Sequence, residues 1–269
     1  MKAVTLSFHD AVVSGNFAAS GFTEEGANHY KLDLEDMRRH FGAISASAWR
    51  EPGSVHTLLS EPADQTQLFL AFDDGGVSAH EHIAPLLESF GWVGHFFITG
   101  DRIDMPGFVS REQIHELHGR GHVIGSHSWT HPRRMAKCSR AELLDEWRRS
   151  LDTLAEILGE ATRTASVPGG YYSSAVARAA SDCGVRALFT SEPVRRVWRV
   201  GETLVLGRYT LMRGVAPAIS SGLASERLSA AQLKQLLLWN SKKLVKSAAG
   251  RPYLLLRERL LEAKESAGL

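Results

Sequence analysis

No charge of either sign dominates this chain. Its 269 residues carry 31 basic and 30 acidic side chains, a formal net charge of +1. That balance excludes a global field for nucleic acid or an acidic polymer. Cysteine is almost missing: Cys138 and Cys183 are too few for a disulfide framework and are expected as reduced thiols. No apolar run approaches the ~20 residues of a membrane-spanning helix. The N-terminal apolar stretch ends at His9-Asp10, too short for the core of a signal peptide, so a cytoplasmic location is expected. There is no internal repeat or low-complexity tract. With 43% hydrophobic and 23% charged residues, the rest is ordinary globular composition, and the length suits one α/β barrel.

Histidine is plentiful, with 12 copies, which directs attention to metal or acid–base chemistry. Two stretches stand out: Ala71-Phe72-Asp73-Asp74-Gly75-Gly76, and about fifty residues later His127-Ser128-Trp129-Thr130-His131. Two carboxylates and two imidazoles four apart can hold one divalent metal and leave one carboxylate free. Three protein ligands plus an open position is what a hydrolytic metal site needs, the open position taking the water to be activated. The histidine pair alone carries little weight, since His118 and His122 form another at the same spacing, read here as surface or packing residues. Asp-Asp-Gly-Gly alone could be a simple turn. The zincin pattern is excluded because Ser128 stands where its glutamate would be, so a base must come from elsewhere, and Asp73 is the obvious source. The glycines behind the aspartates would let the backbone pass close to a ligand.

From residue 68 the chain alternates between strand and helix. Leu68–Phe72 reads as a strand buried on both faces, followed by a helix over about 78–90 and a strand over 92–98. A helix over about 110–119 precedes a strand starting at Val123. Ser139 and Glu142 then form a capping box, and Leu143, Leu144, Trp147, Leu151, Leu154 and Leu158 share one face of a helix that Gly159 ends. Thr164–Val167, a helix around 173–182 and Val185–Thr190 continue the pattern. Earlier, residues 3–8 read as a first strand, 14–29 as loop, Asp33 as the N-cap of a helix bearing Leu34, Met37 and Phe41, and 50–67 as irregular. Such repetition means parallel strands with right-handed crossovers. Both motifs and Pro168-Gly169-Gly170 fall just past strand C-termini, where barrels gather catalytic residues. Open α/β sheets also bind ligands at that end, and of the two the motifs favour the barrel. The expected layout is a distorted (β/α) barrel over 1–222, with an irregular insert at 14–67 containing one helix. A helical C-terminal extension follows over 223–269. Its two amphipathic helices, about 229–247 and 252–266, flank Gly250 and Pro252; Lys234, Lys242, Lys243 and Lys246 make the first basic, read as a solvated face.

The Asp-Asp-Gly after an apolar strand ending in Phe, followed by His-Ser-x-x-His, resembles the signature of polysaccharide deacetylases with the NodB-homology domain, carbohydrate esterase family 4. Gly91–Ile98 is similar to the family's strand between these motifs, and the likeness covers roughly residues 3–210. The resemblance implies a distorted barrel of that type and a divalent metal, usually zinc (Zn2+). It implies Asp74, His127 and His131 as metal ligands and Asp73 as catalytic base. The family's third motif, Arg-x-Pro followed by an aromatic and Gly, is matched by Ser166–Tyr172, with Ser166 at the arginine's place. The Gly169 N–H could still serve as an oxyanion donor. The family's late Leu-x-His, source of a general acid, is missing where the chain reads Leu204–Tyr209. His9, with Asp10 to fix its tautomer, and His80 and His82 are candidates for that acid; Arg208 could bind an anionic group or pair with a carboxylate; Tyr171, Tyr172 and Trp129 could stack on a sugar.

The expected function is that of a metal-dependent hydrolase removing N-acetyl groups from an amino sugar or polysaccharide precursor, the water on the metal being deprotonated by Asp73. The expected partner is therefore a carbohydrate carrying N-acetyl groups. Other readings are hydrolysis of another non-peptide C–N bond, such as a ureide or cyclic amide, on the same scaffold, or a non-catalytic carbohydrate-binding relic. The full Asp73, Asp74, His127 and His131 set argues against the relic. A two-histidine, one-carboxylate iron oxygenase is chemically conceivable, but the spare aspartate speaks against it.

Overall fold

The computed structural model of the protein describes residues 1–60 and 65–225. In chain order its elements are β1 (Ala3–Phe8), β2 (Ala11–Val12), α1 (Glu25–Asn28), β3 (Leu32–Asp33), α2 (Leu34–Ser47) and α3 (Val55–Ser60). There follow β4 (Gln67–Phe72), a π-helical turn (Ala79–Ile83), α4 (Ala84–Glu88), β5 (Gly94–Ile98), α5 (Arg111–Gly119), β6 (Val123–Ser126) and α6 (Arg140–Leu158). The last are β7 (Thr164–Ser166), α7 (Ser174–Asp182), β8 (Ala187–Phe189), β9 (Trp198–Val200), β10 (Thr203–Leu206), β11 (Tyr209–Thr210) and α8 (Pro217–Ala224). No helix among the described residues is long and apolar enough to cross a membrane.

Nine strands form one sheet in the order β11-β1-β4-β5-β6-β7-β8-β10-β9, and every pairing is parallel except β10 with β9. The order dictates the shape. β11 is at one edge and β10 almost at the other, yet Leu206 and Tyr209 are three peptide steps apart, at most ~11 Å. The sheet therefore curls until its edges nearly meet, and Gly207-Arg208 spans the seam. Gly207 is required there, because a Cβ would collide with the carbonyls of Glu192 and Val194. A second closure joins Lys2 and Arg196 as an antiparallel bridge. The result is the expected distorted barrel.

A period of two sorts the strand residues. Val4, Leu6, Phe8, Leu68, Leu70, Phe72, Phe96 and Ile98 face outward onto α2, α4, α5 and α8; Ala165, Leu188 and Val205 face α6 and α7. The alternate residues Ala3, Phe69, Ala71, Phe97, Phe189, Leu204 and Leu206 fill the interior, joined at its base by Val55 and Leu58 of α3. Continuing the same period to the strand ends and just past them brings His9, Asp73, His127, Ser166 and Arg208 to the top of that interior.

Local signals held. Asp33 caps α2 through Glu35 N, Ser139 and Glu142 form both bonds of the capping box on α6, and Gly159 ends that helix at φ 72°. His122 is buried against Gly94 N and Glu88, and His118 pairs with Glu160. The insert needs correcting. Besides α2 it holds the short helices α1 and α3, and the 50–67 stretch contains α3. With six residues, α3 shows no readable helical period; its burial comes from plugging the barrel base. The expected domain limit at 222 falls inside α8, whose Leu223 and Ala224 are buried against the barrel. The basic tail helices lie outside the described residues.

His95 fastens α3 to the barrel. Its Nε2 accepts from Val55 N (3.0 Å) and its Nδ1 donates to the Leu70 carbonyl (2.8 Å), an arrangement only the neutral ring can make. Burial above all holds its pKa down at about 4, against 6.5 ordinarily. In the unfolded chain this ring takes its proton near pH 6.5. Its contribution is therefore full above pH 6.5 and is lost as pH falls toward 4, by at most ~3 kcal/mol. Denaturant midpoints at about pH 7 and about pH 4.5 should show a smaller acid loss in His95→Gln than in the native chain. The buried His40 and His122 act equally in both proteins, so identical losses would refute the assignment.

Candidate metal centre

Asp73 and Asp74 follow β4 directly, and the backbone makes them diverge. Asp74 and Gly75 both take left-handed conformations, φ 78° and 80°. The turn thus sends Asp73 into the barrel mouth and Asp74 toward the loop after β6. The two glycines serve the protein's own packing. A side chain on Gly75 would press on the Ile98 backbone at 3.2 Å, and one on Gly76 would collide with Asp10 Oδ1 and Ser20 Oγ. Asp10 is buried behind the turn, accepting from Ser20 Oγ (2.5 Å) and Ser78 Oγ (2.8 Å). It is engaged there and does not fix the His9 tautomer, as the sequence suggested. Beside it, buried Lys31 donates to the carbonyls of Phe17 and Ser20 and fixes the loop after β2.

Asp74 Oδ1 lies 3.4 Å from His127 Nε2 and 3.6 Å from His131 Nε2. Among the described residues this is the one group of three such side chains with all ligand atoms within 4.8 Å of one another. Two ligands each ~2.1 Å from a tetrahedral ion stand ~3.4 Å apart, so the spacing fits a divalent metal. The protonation state fits too. His127 Nδ1 faces the Ser166 carbonyl at 3.1 Å and donates to it, so Nε2 is the ring nitrogen turned to Asp74. Burial, reinforced by His127, holds His131 down at about 4, so its ring is neutral at pH 7. Burial alone would raise the Asp74 carboxyl; the imidazoles of His9, His127 and His131 outweigh it and keep that carboxyl far below its ordinary range. Phe22 packs against the outer side of His131, ring centroids 5.0 Å apart.

Asp73 stands apart from this triad. Its Oδ1 accepts from Arg208 Nη1 at 2.6 Å and from Ser166 Oγ at 3.1 Å. Burial would raise its carboxyl, but Arg208, then His127 and His9, bring it below its usual value. The arginine expected beside Asp73 is thus supplied from the barrel seam, and Ser166 contributes a hydroxyl where the sequence showed only a gap. Arg208 itself is 1% exposed and also donates from Nε to the Thr190 carbonyl. As a candidate for substrate binding or proton delivery it is corrected: the guanidinium is buried and paired with a carboxylate, the alternative the sequence had offered.

The other candidates are distributed unevenly. His9 is close enough to both aspartates to act on them electrostatically, and its ring lies on Tyr30, centroids 4.6 Å apart. His82 is half-buried on the π-helical turn and makes no hydrogen bond, ion pair or ring contact with the four central residues; His80 is paired with Glu116. Gly169, at φ 58°, sits in the Pro168–Gly170 turn after β7, close to Tyr171 and to the Arg133 carbonyl beside the His131 loop. Tyr172 packs edge-on against Trp198, and Trp129 lies against Gly100 beneath Arg149, so both are packing aromatics. Glu146 of α6, which the sequence reading passed over, binds the loop between the two histidines. A signal existed: it is a charged residue inside the helix stripe Leu143, Trp147, Leu151 and Leu154.

Among known proteins, residues 60–188 match the family model for polysaccharide deacetylase. Over 126 residues the chain is 29% identical to a chitin deacetylase of Pestalotiopsis sp, covering 44% of this chain and 40% of that protein. It is 27% identical over 135 residues to an uncharacterized 30.6 kDa protein of Geobacillus stearothermophilus, covering 49% of each. The matches thus span half or less of these curated relatives. Among solved structures, the Streptococcus pyogenes deacetylase PplD in complex with acetate aligns with a TM-score of 0.65 at 18% identity, covering 81% of this chain and 96% of that one. A polysaccharide deacetylase from Bacillus cereus gives 0.68 at 14%, covering 84% and 69%. At such identities these structures establish the shared barrel and nothing finer.

Proposed function

Because this chain belongs to the polysaccharide deacetylase family, we propose that it is a zinc-dependent hydrolase that removes N-acetyl groups from amino-sugar units of a saccharide. The observation that carries this is the separation of the two aspartates: Asp74 with His127 and His131 as a donor triangle, Asp73 held beside it by its own cation. When bound there, the metal would polarise the acetamide carbonyl and lower the pKa of the attacking water.

The protein's residues do the remainder. Arg208 and Ser166 both bind Oδ1 of Asp73, which leaves Oδ2 as the oxygen to take a proton. The Arg208 charge keeps that carboxylate ionised before the reaction. The Gly169 N–H, in the turn beside the His131 loop, is assigned to the developing oxyanion. His9 is assigned to proton delivery at the leaving nitrogen, as the one candidate near both aspartates.

The test is metal content of the purified chain together with acetate release from N-acetylhexosamines, free, nucleotide-linked and oligomeric. Bound zinc and acetate release from at least one of them is the expected result. A metal-loaded protein that releases none but opens ureides would replace this reading with the cyclic-amide one.

A further inference from the structure

The loop that presents both histidines is held in a conformation its sequence does not favour. Ser128 and His131 have φ 65° and 56°, left-handed values that non-glycine residues rarely adopt. Such a loop persists only if its surroundings impose it. Several ties come from the barrel top: Gly100 N to Ser128 O and Asp101 N to Trp129 O, both 3.0 Å. Two more are internal, Ser128 N to Ser126 Oγ (3.0 Å) and His131 N to Ser128 Oγ (3.1 Å).

The remaining tie comes from outside the barrel. Glu146 Oε2 accepts from the N–H groups of Trp129 and Thr130, both at 2.9 Å, and Oε1 accepts from Thr130 Oγ1 at 2.6 Å. Glu146 is 8% exposed, and among the described residues no basic side chain pairs with it. Its negative charge is therefore met by three donors of one short loop, an anion seated on consecutive amides. All three donors lie between His127 and His131. One turn further along α6, Ser150 Oγ accepts from Ser126 Oγ (2.7 Å), so the same helix face also holds the start of the loop.

We propose that Glu146 is the positioning residue of this metal centre: it fixes the Trp129-Thr130 segment so that His127 and His131 present their Nε2 atoms to the point Asp74 faces. It acts on the ligands through the loop and touches neither substrate nor metal. The inference rests on the metal-site reading above.

The test compares zinc affinity, by competition with a chelating dye, with denaturant stability of the metal-free full chain. Four proteins are needed: native, Glu146→Gln, Thr130→Ala and Leu143→Ala. Glu146→Gln keeps the shape but replaces one acceptor oxygen by a donor facing donors. It should weaken zinc binding 10–100-fold, the usual effect of losing a residue that orients metal ligands. Thr130→Ala removes one of the three bonds at an exposed position and should weaken zinc binding in the same direction by less. Leu143→Ala, buried on the same helix with no polar side chain to bond the loop, should lower stability and leave zinc affinity unchanged. Native affinity in Glu146→Gln overturns the proposal, as does a zinc loss in Leu143→Ala equal to that in Glu146→Gln. If Glu146→Gln does not fold, Thr130→Ala decides, and an unchanged affinity overturns the proposal. A native chain that binds no zinc overturns the metal-site reading and this inference together, whereas equal binding by native and variants overturns this inference alone.

Discussion

Asp73→Asn should retain stoichiometric zinc and lose 10²–10⁴-fold in kcat/KM for acetate release, the range a general base contributes. The substitution is nearly isosteric. The amide oxygen can still accept from Arg208 and Ser166, so the local packing survives. The ligand set Asp74, His127 and His131 does not include residue 73, so metal binding should be untouched. What disappears is the basic oxygen. Some stability goes with it, because Arg208 is left buried opposite a neutral group. Metal content and turnover must therefore be measured on the same folded preparation. Activity within about tenfold of native would move the base elsewhere; loss of zinc would make Asp73 a ligand.

Arg208→Met should destabilise the protein by ~3–5 kcal/mol near pH 7, the effect of stranding one partner of a buried ion pair. Asp73 would keep only Ser166, inside a site where its relative exposure is 5%. The sign of the pH dependence follows. In the native chain the Asp73 carboxyl lies below its ordinary value of 3.8, so its contribution is present above that pH and is lost only as pH falls below it. Without Arg208 burial loses its chief opponent, with only His127 and His9 left to counter it, and the carboxyl rises. The variant then loses stability as pH increases through that raised value. The gap between native and variant should be widest near pH 7 and shrink as pH falls toward about 4, as denaturant midpoints at the two pH values would show. The acid limb of the pH–rate profile should move to higher pH, with activity down ~10–100-fold. Combining Arg208→Met with Asp73→Asn removes both charges and should recover part of the stability; a double variant as unstable as the sum of the single ones would show that the pair is not coupled.

These two residues also mark where sequence reasoning reached its limit. Asp74, His127 and His131 were legible because each motif is short and sits at the end of a strand whose apolar run is visible. Helix caps such as Asp33 and Ser139 were legible for the same reason, their bonds reaching only two or three residues. Ser166 looked like a missing arginine, and Arg208 like a cation for an anionic group or for some carboxylate that the sequence did not name. Their joint role depends on the barrel seam, which brings residue 208 to residue 73 although 135 positions separate them. Glu146 depends on how α6 lies against the loop after β6, and Asp10 on a turn 66 residues away at Gly76.

The sequence by itself determined the alternation of strands and helices, the ends of the longer helices and the identity of the four central polar residues. Hydrogen-bonding range and side-chain periodicity are local, so they can be read along the chain. Only the tertiary structure decided which cation holds Asp73 and what keeps the histidine loop in its left-handed turns. Those contacts form between segments remote in sequence, and the curling of the sheet selects them.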